Sequence, residues 1–304
     1  MTVDASAGPP RISFEDVAHR LDEDWGLGDA TVASLGGGMN SQTWLVTSGE
    51  RRWVAKAVDP ASVNLGAGLA VASIVEAAGI PAGAPLLTRA GASTVAIDGR
   101  ELALLGFVTG VELTGTDDEQ PTIGRTLARV HRALAGQAVA GADQFHWLDA
   151  SADHLDLRGW LRPAIATVLE RWQHIPPSSL TWGLVHSDPA PEAFRYDART
   201  GVCGLIDWDR ALMGPLMYDV ASAVMYGGGP ARARPLLDAY TAAGGLEAPE
   251  IERTLGVIRA VRWAVQADYF AKRIATNDMT GIDDPAENED GLRDAEEGLA
   301  ETGI

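Results

Sequence analysis

Three short strands in hairpin spacing, followed by a chain that is mostly helical, constrain the fold of this sequence most strongly. Strand-like segments alternate with turn residues over Thr31–Val58, and the first turn holds three glycines, Gly36–Gly38. An alanine-rich helix is predicted over Ser62–Ala78, since a glycine and a proline follow it. Two more short strands precede Gly110. The first hundred residues therefore predict an α+β unit.

Beyond this unit, helical periodicity dominates. Apolar residues recur about every 3.6 positions, which predicts helices over Ile123–Leu134, Trp160–Trp172 and Ile251–Ile274. Two short apolar runs lie between them, Gly183–His186 and Val202–Asp207, and each ends in a polar side chain. A length of 304 residues is typical of about two domains.

Composition excludes several classes of protein. The 42 acidic and 24 basic residues give a formal net charge of −18, which repels nucleic-acid backbones and anionic lipid. The single cysteine, Cys203, excludes an intramolecular disulfide and favours a reducing compartment. The first residues lack the pattern of a signal peptide, and no stretch approaches the roughly 20 apolar residues of a membrane helix. We expect a cytoplasmic protein without nucleic-acid or membrane partners.

Lysine is almost absent from the chain. Only two of the 24 basic residues are lysines, Lys56 and Lys272, and a lysine offers a compact ammonium where arginine offers a planar fork. Lys56 lies on the third predicted strand, 18 residues after Gly38. Glycine N–H groups and a neighbouring lysine can bind phosphate oxygens together. On its own, a flexible surface turn explains the glycines as well, because the spacing is not that of a P-loop.

Two acidic residues follow the short apolar runs of the second half. Asp188 lies in a proline-containing loop, and Asp207 follows it by nineteen residues. Two such acids can divide the work of phosphoryl transfer: one accepts the proton of the attacking hydroxyl, and the other holds magnesium against the phosphates. Loop capping is the alternative, although polar groups that end apolar strands are costly unless they are used.

Several motifs, in this order, resemble the aminoglycoside phosphotransferase and choline kinase superfamily. They are Leu104–Gly110, Leu127-Ala128-Arg129-Val130-His131, Val185-His186-Ser187-Asp188, Ile206-Asp207-Trp208 and Gly214–Ala221. The usual family forms of the last four are LArLH, HGDxHxxN, IDW and GxPxxDLA. With Lys56 the matches extend from about Gly36 to Ala221, most of the chain.

The resemblance implies an α+β, two-lobed protein-kinase-like fold with ATP in the cleft. Residues 1–108 would form a small antiparallel-sheet lobe that binds the nucleotide. Residues 109–304 would form a larger, mainly helical lobe for catalysis and substrate binding. The implied activity is that of a small-molecule kinase: with ATP and Mg²⁺, it transfers the γ-phosphate to a hydroxyl of an antibiotic, amino sugar or amino alcohol.

The resemblance also implies roles for single residues. Asp188 corresponds to the catalytic aspartate, Asp207 to the magnesium ligand and Lys56 to the lysine that binds the α- and β-phosphates. Asp219 would brace the catalytic loop, and His186 would be structural. The other nucleotide-binding residues implied are Gly36, Gly37, Gly38, Asn40 and Ser41 in the phosphate loop, and Phe107 and Val108 beside the adenine.

Two departures from the family pattern concern the metal and the lysine. Ala193 stands where the family has a metal-binding asparagine, and an alanine methyl cannot coordinate magnesium. Glu192 has the oxygen for a metal ligand but needs a re-aimed loop. The family's helix glutamate, which pairs with the lysine, would fall at Gly66–Leu69, where no acid occurs. Glu76 lies further along the predicted helix and reads as an ordinary surface acid.

Two other functions are open to the sequence. The departures suggest a kinase-fold protein with impaired catalysis that acts as a nucleotide-binding or regulatory module. A metal-dependent hydrolase could use the same acids but leaves Lys56 and the glycines unexplained.

The acceptor is expected in the helical lobe, from Gln144–Trp160 and the helix that holds Arg259, Arg262, Trp263 and Gln266. An acidic cluster near the first segment favours an amine-bearing acceptor, and a solvated acidic face explains it as well. Its members are Asp143, Asp149, Asp153 and Asp156.

Overall fold

The computed structural model describes residues 12–36, 41–60, 64–145 and 148–304. In these parts the strands are β1 (Thr31–Leu35), β2 (Ser41–Ser48), β3 (Arg51–Val58), β4 (Val95–Ile97), β5 (Arg100–Gly106), β6 (Val111–Glu112), β7 (Asp143–Gln144), β8 (Trp182–Val185), β9 (Phe194–Asp197), β10 (Val202–Leu205) and β11 (Leu212–Pro215). The α-helices are α1 (Phe14–Arg20), α2 (Leu65–Ala77), α3 (Gln120–Leu134), α4 (Leu161–Gln173), α5 (Leu216–Tyr226), α6 (Arg234–Ala242), α7 (Ala248–Ala275) and α8 (Ala286–Glu301).

The N-terminal lobe is a five-stranded antiparallel sheet in the order β1-β2-β3-β5-β4. Helix α1 begins at the capping residue Ser13, whose hydroxyl accepts the Asp16 N–H. Its apolar side buries Val17 in a core with Trp44 and Leu104. A second apolar cluster joins α2 to the sheet. The sheet is therefore covered on both faces.

The C-terminal lobe is mainly helical. Helix α7 is the longest in the described chain and packs against α4, α5 and α8, while α3 packs against α6. Short strands fit between these helices: β9 pairs with β6 and β10, and β11 pairs with β7 and β8. The short apolar runs predicted near residues 183 and 202 are thus β8 and β10, and the loops that follow them carry the candidate acidic residues.

The order of elements confirms the predicted sheet lobe followed by a helical lobe. The chain leaves the sheet at Gly106 and next pairs through Val111 with Tyr196 of β9. The boundary predicted after Val108 falls in this connection and remains a prediction. The predicted start of α2 at Ser62 lies outside the described residues, and the described helix is capped by the Asn64 side chain. None of the helices in the described parts of the chain is long and apolar enough to cross a membrane.

Candidate active site

Lys56 reaches across the cleft to the helical lobe. It lies in the middle of the sheet, paired with Thr43 on β2 and Ala103 on β5, and is only 7% exposed. Its Nζ contacts Oδ1 of Asp207 and lies 2.9 Å from Oδ2 of Asp209. The structure thus joins Lys56 to Asp207, as the sequence motifs predict, and adds a second carboxylate.

For two of these three groups, Lys56 and Asp207, neighbouring charges and hydrogen bonds together change the pKa more than burial does. Burial alone lowers the pKa of the Lys56 ammonium, but the adjacent Asp207 and Asp209 carboxylates outweigh it and raise that pKa above its ordinary value. Burial raises the pKa of Asp207, but the Lys56 charge, the Lys56 hydrogen bond and the contributions of His186 and Asp209 together lower that pKa below its ordinary value. For Asp209, burial and then the charge of Asp207 raise the pKa. Lys56 and Asp207 therefore stabilise each other's charged forms, and the surroundings of Asp209 favour its charge less.

Asp207 sits on a strained backbone at the end of β10. Its φ of +72° is in the left-handed region, which is unfavourable for a residue with a side chain. The preceding Ile206 donates its N–H to the Ala193 carbonyl at 2.9 Å. The side chain of Asp207 is 52% exposed, so its carboxylate is accessible from the cleft while it binds Lys56.

Asp219 organises the loop that leads to Asp188. It is fully buried and accepts the N–H groups of His186 at 2.8 Å and Ser187 at 2.7 Å. Nε2 of His131 hydrogen-bonds the same carboxylate at 3.0 Å. Ser187 has a φ of +75°, so two backbone bonds hold a strained residue in place. These contacts are those of the bracing role that the resemblance implies for Asp219.

His186 packs inside the lobe. Its Nε2 donates to the Ile206 carbonyl at 2.8 Å, and its ring meets Trp208 edge-on with centroids 4.7 Å apart. The ring therefore links the loops that carry Asp188 and Asp207. In the described chain no group of three or more His, Cys, Asp or Glu residues is arranged to hold a metal.

Asp188 is held by two side chains from the helices behind it. The Tyr226 hydroxyl donates to its Oδ1 at 2.7 Å, and Nη2 of Arg262 donates to the same oxygen at 2.9 Å. Arg262 also donates to Ser222 at 3.1 Å. Burial raises the pKa of Tyr226, so its hydroxyl stays a neutral donor. The Asp188 side chain is still 51% exposed, which leaves it accessible to a ligand.

The predicted phosphate loop is described only at its ends. Gly37, Gly38 and Asn40 lie outside the described residues, whereas Gly36 follows β1 and Ser41 begins β2. Ser41 pairs with Val58, two positions along β3 from Lys56, or about 7 Å at the rise of a strand. The described ends of the loop thus lie near the end of β3 that carries Lys56.

The predicted adenine-bordering residues lie in the connection between the lobes. Val108 packs beside Gly204: a Cβ added to that glycine would lie 2.9 Å from Val108 Cγ1. The Phe107 ring is covered by the Arg52 guanidinium, 4.0 Å from its centroid. Arg52 and Lys56 share one face of β3, because side chains alternate along a strand. Arg52 and Lys56 therefore both lie on the cleft side of the sheet.

The structure shows the surroundings of the residues at the two departures from the family pattern. Ala193 is buried, and only its backbone makes hydrogen bonds: its N–H donates to the Ala190 carbonyl at 3.0 Å, and its carbonyl accepts from Ile206 at 2.9 Å. Glu192 is exposed and makes no hydrogen bond or ion pair with the rest of the described chain. Glu76 is exposed, as predicted, and it also accepts the N–H groups of Ala82 at 3.3 Å and Ala84 at 2.8 Å, so it fixes the turn after α2.

The residues present fit a nucleotide-bound magnesium ion. Magnesium in proteins is usually held by one or two carboxylates, with phosphate oxygens and water completing the shell. The exposed carboxylate of Asp207 meets this requirement, and Glu192 remains a predicted second ligand. The Lys56 ammonium beside Asp207 fits the phosphates.

Two residues of the site were not singled out from the sequence. Asp209 follows Asp207 by two positions, and the absence of an acid at Gly66–Leu69 was the signal that Lys56 needs another partner. No pattern in the sequence points to Tyr226, because its distance from Asp188 depends on how α5 packs. Arg262 was expected only in the acceptor region, and the structure brings it to Asp188.

Comparison with known proteins identifies the family. The sequence profile described as the phosphotransferase enzyme family matches residues 31–256. A homoserine kinase of Xanthobacter autotrophicus is 33% identical over 156 residues, which cover 48% of this chain and 47% of that protein. The chain thus spans about half the length of this curated relative.

Solved structures show the same fold at low identity. An amicoumacin kinase in complex with AMP-PNP and Ca²⁺ superposes with a TM-score of 0.72 at 14% identity, covering 95% of this chain and 93% of that one. A choline kinase from Streptococcus pneumoniae gives a TM-score of 0.72 at 15% identity, covering 94% and 98%. The predicted two-lobed kinase-like fold is confirmed.

Proposed function

The chain belongs to the phosphotransferase enzyme family, and from this premise we propose that it transfers the γ-phosphate of ATP to a hydroxyl of a small molecule. One observation carries the proposal. A buried ammonium on the sheet lobe, Lys56, meets the exposed carboxylate of Asp207 on the helical lobe, which is the arrangement needed to hold phosphates and their metal ion between the lobes.

Asp188 is the proposed base. Within the described chain both of its hydrogen bonds, from Tyr226 and Arg262, go to Oδ1, which leaves Oδ2 to accept the proton of the acceptor hydroxyl. The two donors also fix the direction of the carboxylate. Orientation of this kind accounts for much of the rate in phosphoryl transfer, where catalysis is mostly positioning and electrostatics.

Lys56, Asp207 and the β1–β2 loop are the proposed nucleotide site. Lys56 binds phosphate oxygens, the glycine-containing segment between β1 and β2 supplies backbone N–H donors to them, and Asp207 with Glu192 holds the metal. When bound, Mg²⁺ neutralises the charge on the phosphate oxygens. Phe107 and Val108 border the adenine.

The acceptor class we propose is an amino alcohol. The curated relative is named a homoserine kinase, and the two structural neighbours are named amicoumacin and choline kinases. Homoserine and choline are small molecules that carry a hydroxyl and a cationic nitrogen. The acidic cluster gives this proposal only limited support, because Asp156 binds Arg162 at 2.7 Å and Asp149 accepts from Ser151 at 2.6 Å.

The test is ATP consumption with a panel of acceptors: homoserine, 3-amino-1-propanol, choline and an aminoglycoside. Homoserine and 3-amino-1-propanol differ only in the carboxylate, so the pair also reports whether the site requires one. Mg²⁺-dependent turnover of homoserine, 3-amino-1-propanol or choline is the expected result, and turnover of the aminoglycoside alone would contradict the proposed acceptor class.

The matched variant is Asp188→Asn. Loss of the general base is expected to lower kcat by about a hundredfold or more, while the dissociation constant of ADP stays within about twofold. Asp238→Asn, an exposed acid on α6, is the control and should behave as wild type. Full turnover by Asp188→Asn would remove Asp188 as the base.

A regulatory or nucleotide-binding role is the second candidate. Ala193 replaces a metal-binding side chain, and Lys56 already binds two carboxylates. This role predicts ADP binding that is unaffected by EDTA, with no turnover of any acceptor and no slow hydrolysis of ATP. The same titration, with and without metal, distinguishes it from the enzyme.

A further inference from the structure

Lys56 has two carboxylate partners whose surroundings differ. The side chain of Asp207 is 52% exposed and faces the cleft, whereas that of Asp209 is only 10% exposed, with its Oδ2 2.9 Å from Nζ. A ligand in the cleft can therefore reach Asp207 directly. Asp209 binds the ammonium from the protein interior, where a ligand does not displace it.

Helix α2 has no carboxylate that could bind Lys56. Glu76 is the one acidic residue in its sequence, and this side chain is engaged by the backbone of Ala82 and Ala84. The first two turns present Leu65 and Leu69 to the sheet, where they pack with residues of β3 and β5. The face of the helix toward Lys56 is thus apolar.

Gly68 explains how Asp209 comes so close to the sheet. A Cβ added at this position would lie 2.2 Å from the Trp208 carbonyl oxygen and 3.0 Å from Cα of Asp209. Helix α2 therefore packs directly on the backbone of the loop that carries Asp207 and Asp209. This contact leaves no room for a side chain at position 68 of α2. It also places the Asp209 carboxylate of the loop beside Lys56.

We propose that Asp209 is the positioning residue that holds Lys56 in place for the nucleotide phosphates, in the role that a carboxylate on α2 would otherwise fill. The inference rests on the proposed nucleotide site. Asp207 would hold the metal ion, and Asp209 would keep the ammonium on the β3 side of the cleft, so that Nζ does not have to be ordered at each binding event.

The experiment compares ADP with adenosine, because only ADP carries the phosphates that Lys56 would bind. In Asp209→Asn the affinity for ADP is expected to fall about tenfold, the worth of a charge-assisted hydrogen bond, while adenosine binds within about twofold of wild type. The KM for ATP should rise correspondingly, with the KM for the acceptor unchanged. Asp209→Glu, which keeps the carboxylate, should recover part of the ADP affinity.

Glu50→Gln is the control, since Glu50 is an exposed acid in the turn between β2 and β3. Equal losses for ADP and adenosine in Asp209→Asn would show that Asp209 only supports the fold, and unchanged ADP binding would show that Lys56 does not depend on it. Either result overturns the inference. If wild type binds no ADP, the proposed function itself fails, and this outcome is distinct from both.

Discussion

At the scale of single residues, the environment of Asp188 is the most specific feature of the site. A carboxylate that is half exposed would normally sample several rotamers, yet Tyr226 and Arg262 both donate to one of its oxygens. Arg262 is itself fixed by Ser222. The proposed base is therefore oriented before any acceptor binds, which reduces the ordering that the reaction must supply.

Removal of one donor tests this orientation. Tyr226→Phe deletes the 2.7 Å bond to Asp188 and also the 2.9 Å bond that the Tyr226 hydroxyl accepts from Arg262. Arg262 keeps its bonds to Asp188 and Ser222, so kcat is expected to fall about tenfold with the KM for ATP unchanged. Tyr196→Phe is the control, because the Tyr196 hydroxyl makes no hydrogen bond in the described chain. Steady-state kinetics of both variants decide the matter, and an unchanged kcat in Tyr226→Phe would contradict the orientation argument.

At the scale of elements, helix α2 depends on two glycines with opposite surroundings. Gly68 faces the Trp208 carbonyl, whereas a Cβ at Gly66 would meet nothing within 4 Å. Glycine in a helix costs conformational entropy relative to alanine. Packing thus requires a glycine at position 68, whereas Gly66 only lowers the stability of the helix.

Substitution of each glycine by alanine should have opposite effects. Gly66→Ala is expected to raise the free energy of unfolding by about 0.5–1 kcal/mol. Gly68→Ala forces α2 away from Trp208 and should lower it by about 2 kcal/mol, with weaker ADP binding as well. Denaturant unfolding measures both changes. Equal stability of the two variants would show that α2 does not pack as described.

Sequence reasoning recovered the elements and the motifs that carry the site, because periodicity and motif order are local properties of the chain. Lys56 and Asp207 were predicted to meet from their positions in ordered motifs, and they do. Asp209 and Tyr226 were missed, since their contacts depend on how closely α2 approaches the Asp207 loop and how α5 packs behind Asp188. Glu76 is exposed, as expected of an ordinary surface acid, but its bonds to Ala82 and Ala84 could not be predicted, because a local turn around a carboxylate leaves no pattern in the sequence.

At the scale of the whole molecule, the two lobes meet through opposite charges in a chain of strongly negative net charge. The single Lys56 ammonium lies beside two carboxylates, Asp207 and Asp209, and offsets one of their charges. A positive charge this close to Asp207 opposes the binding of a bare metal ion at that carboxylate. In the proposed complex a nucleotide would add phosphate oxygens as partners for both the metal ion and Lys56.

Thermal stability tests this dependence. Mg²⁺ alone is expected to leave Tm unchanged, whereas Mg²⁺ with ADP at a hundredfold excess over Kd adds about 2.7 kcal/mol and raises Tm by about 5 °C. The shift should be absent in Lys56→Met. A comparable shift from Mg²⁺ alone would indicate a metal site made by the protein itself.

The contact between Lys56 and Asp207 joins residues 151 positions apart in the chain. During synthesis the sheet lobe emerges first, and its lysine has no carboxylate to meet until the second lobe is well under way. A chain that ends before the second lobe lacks the carboxylate partners of Lys56 and so half of the proposed nucleotide site. That site is complete only when the two halves of the protein have docked.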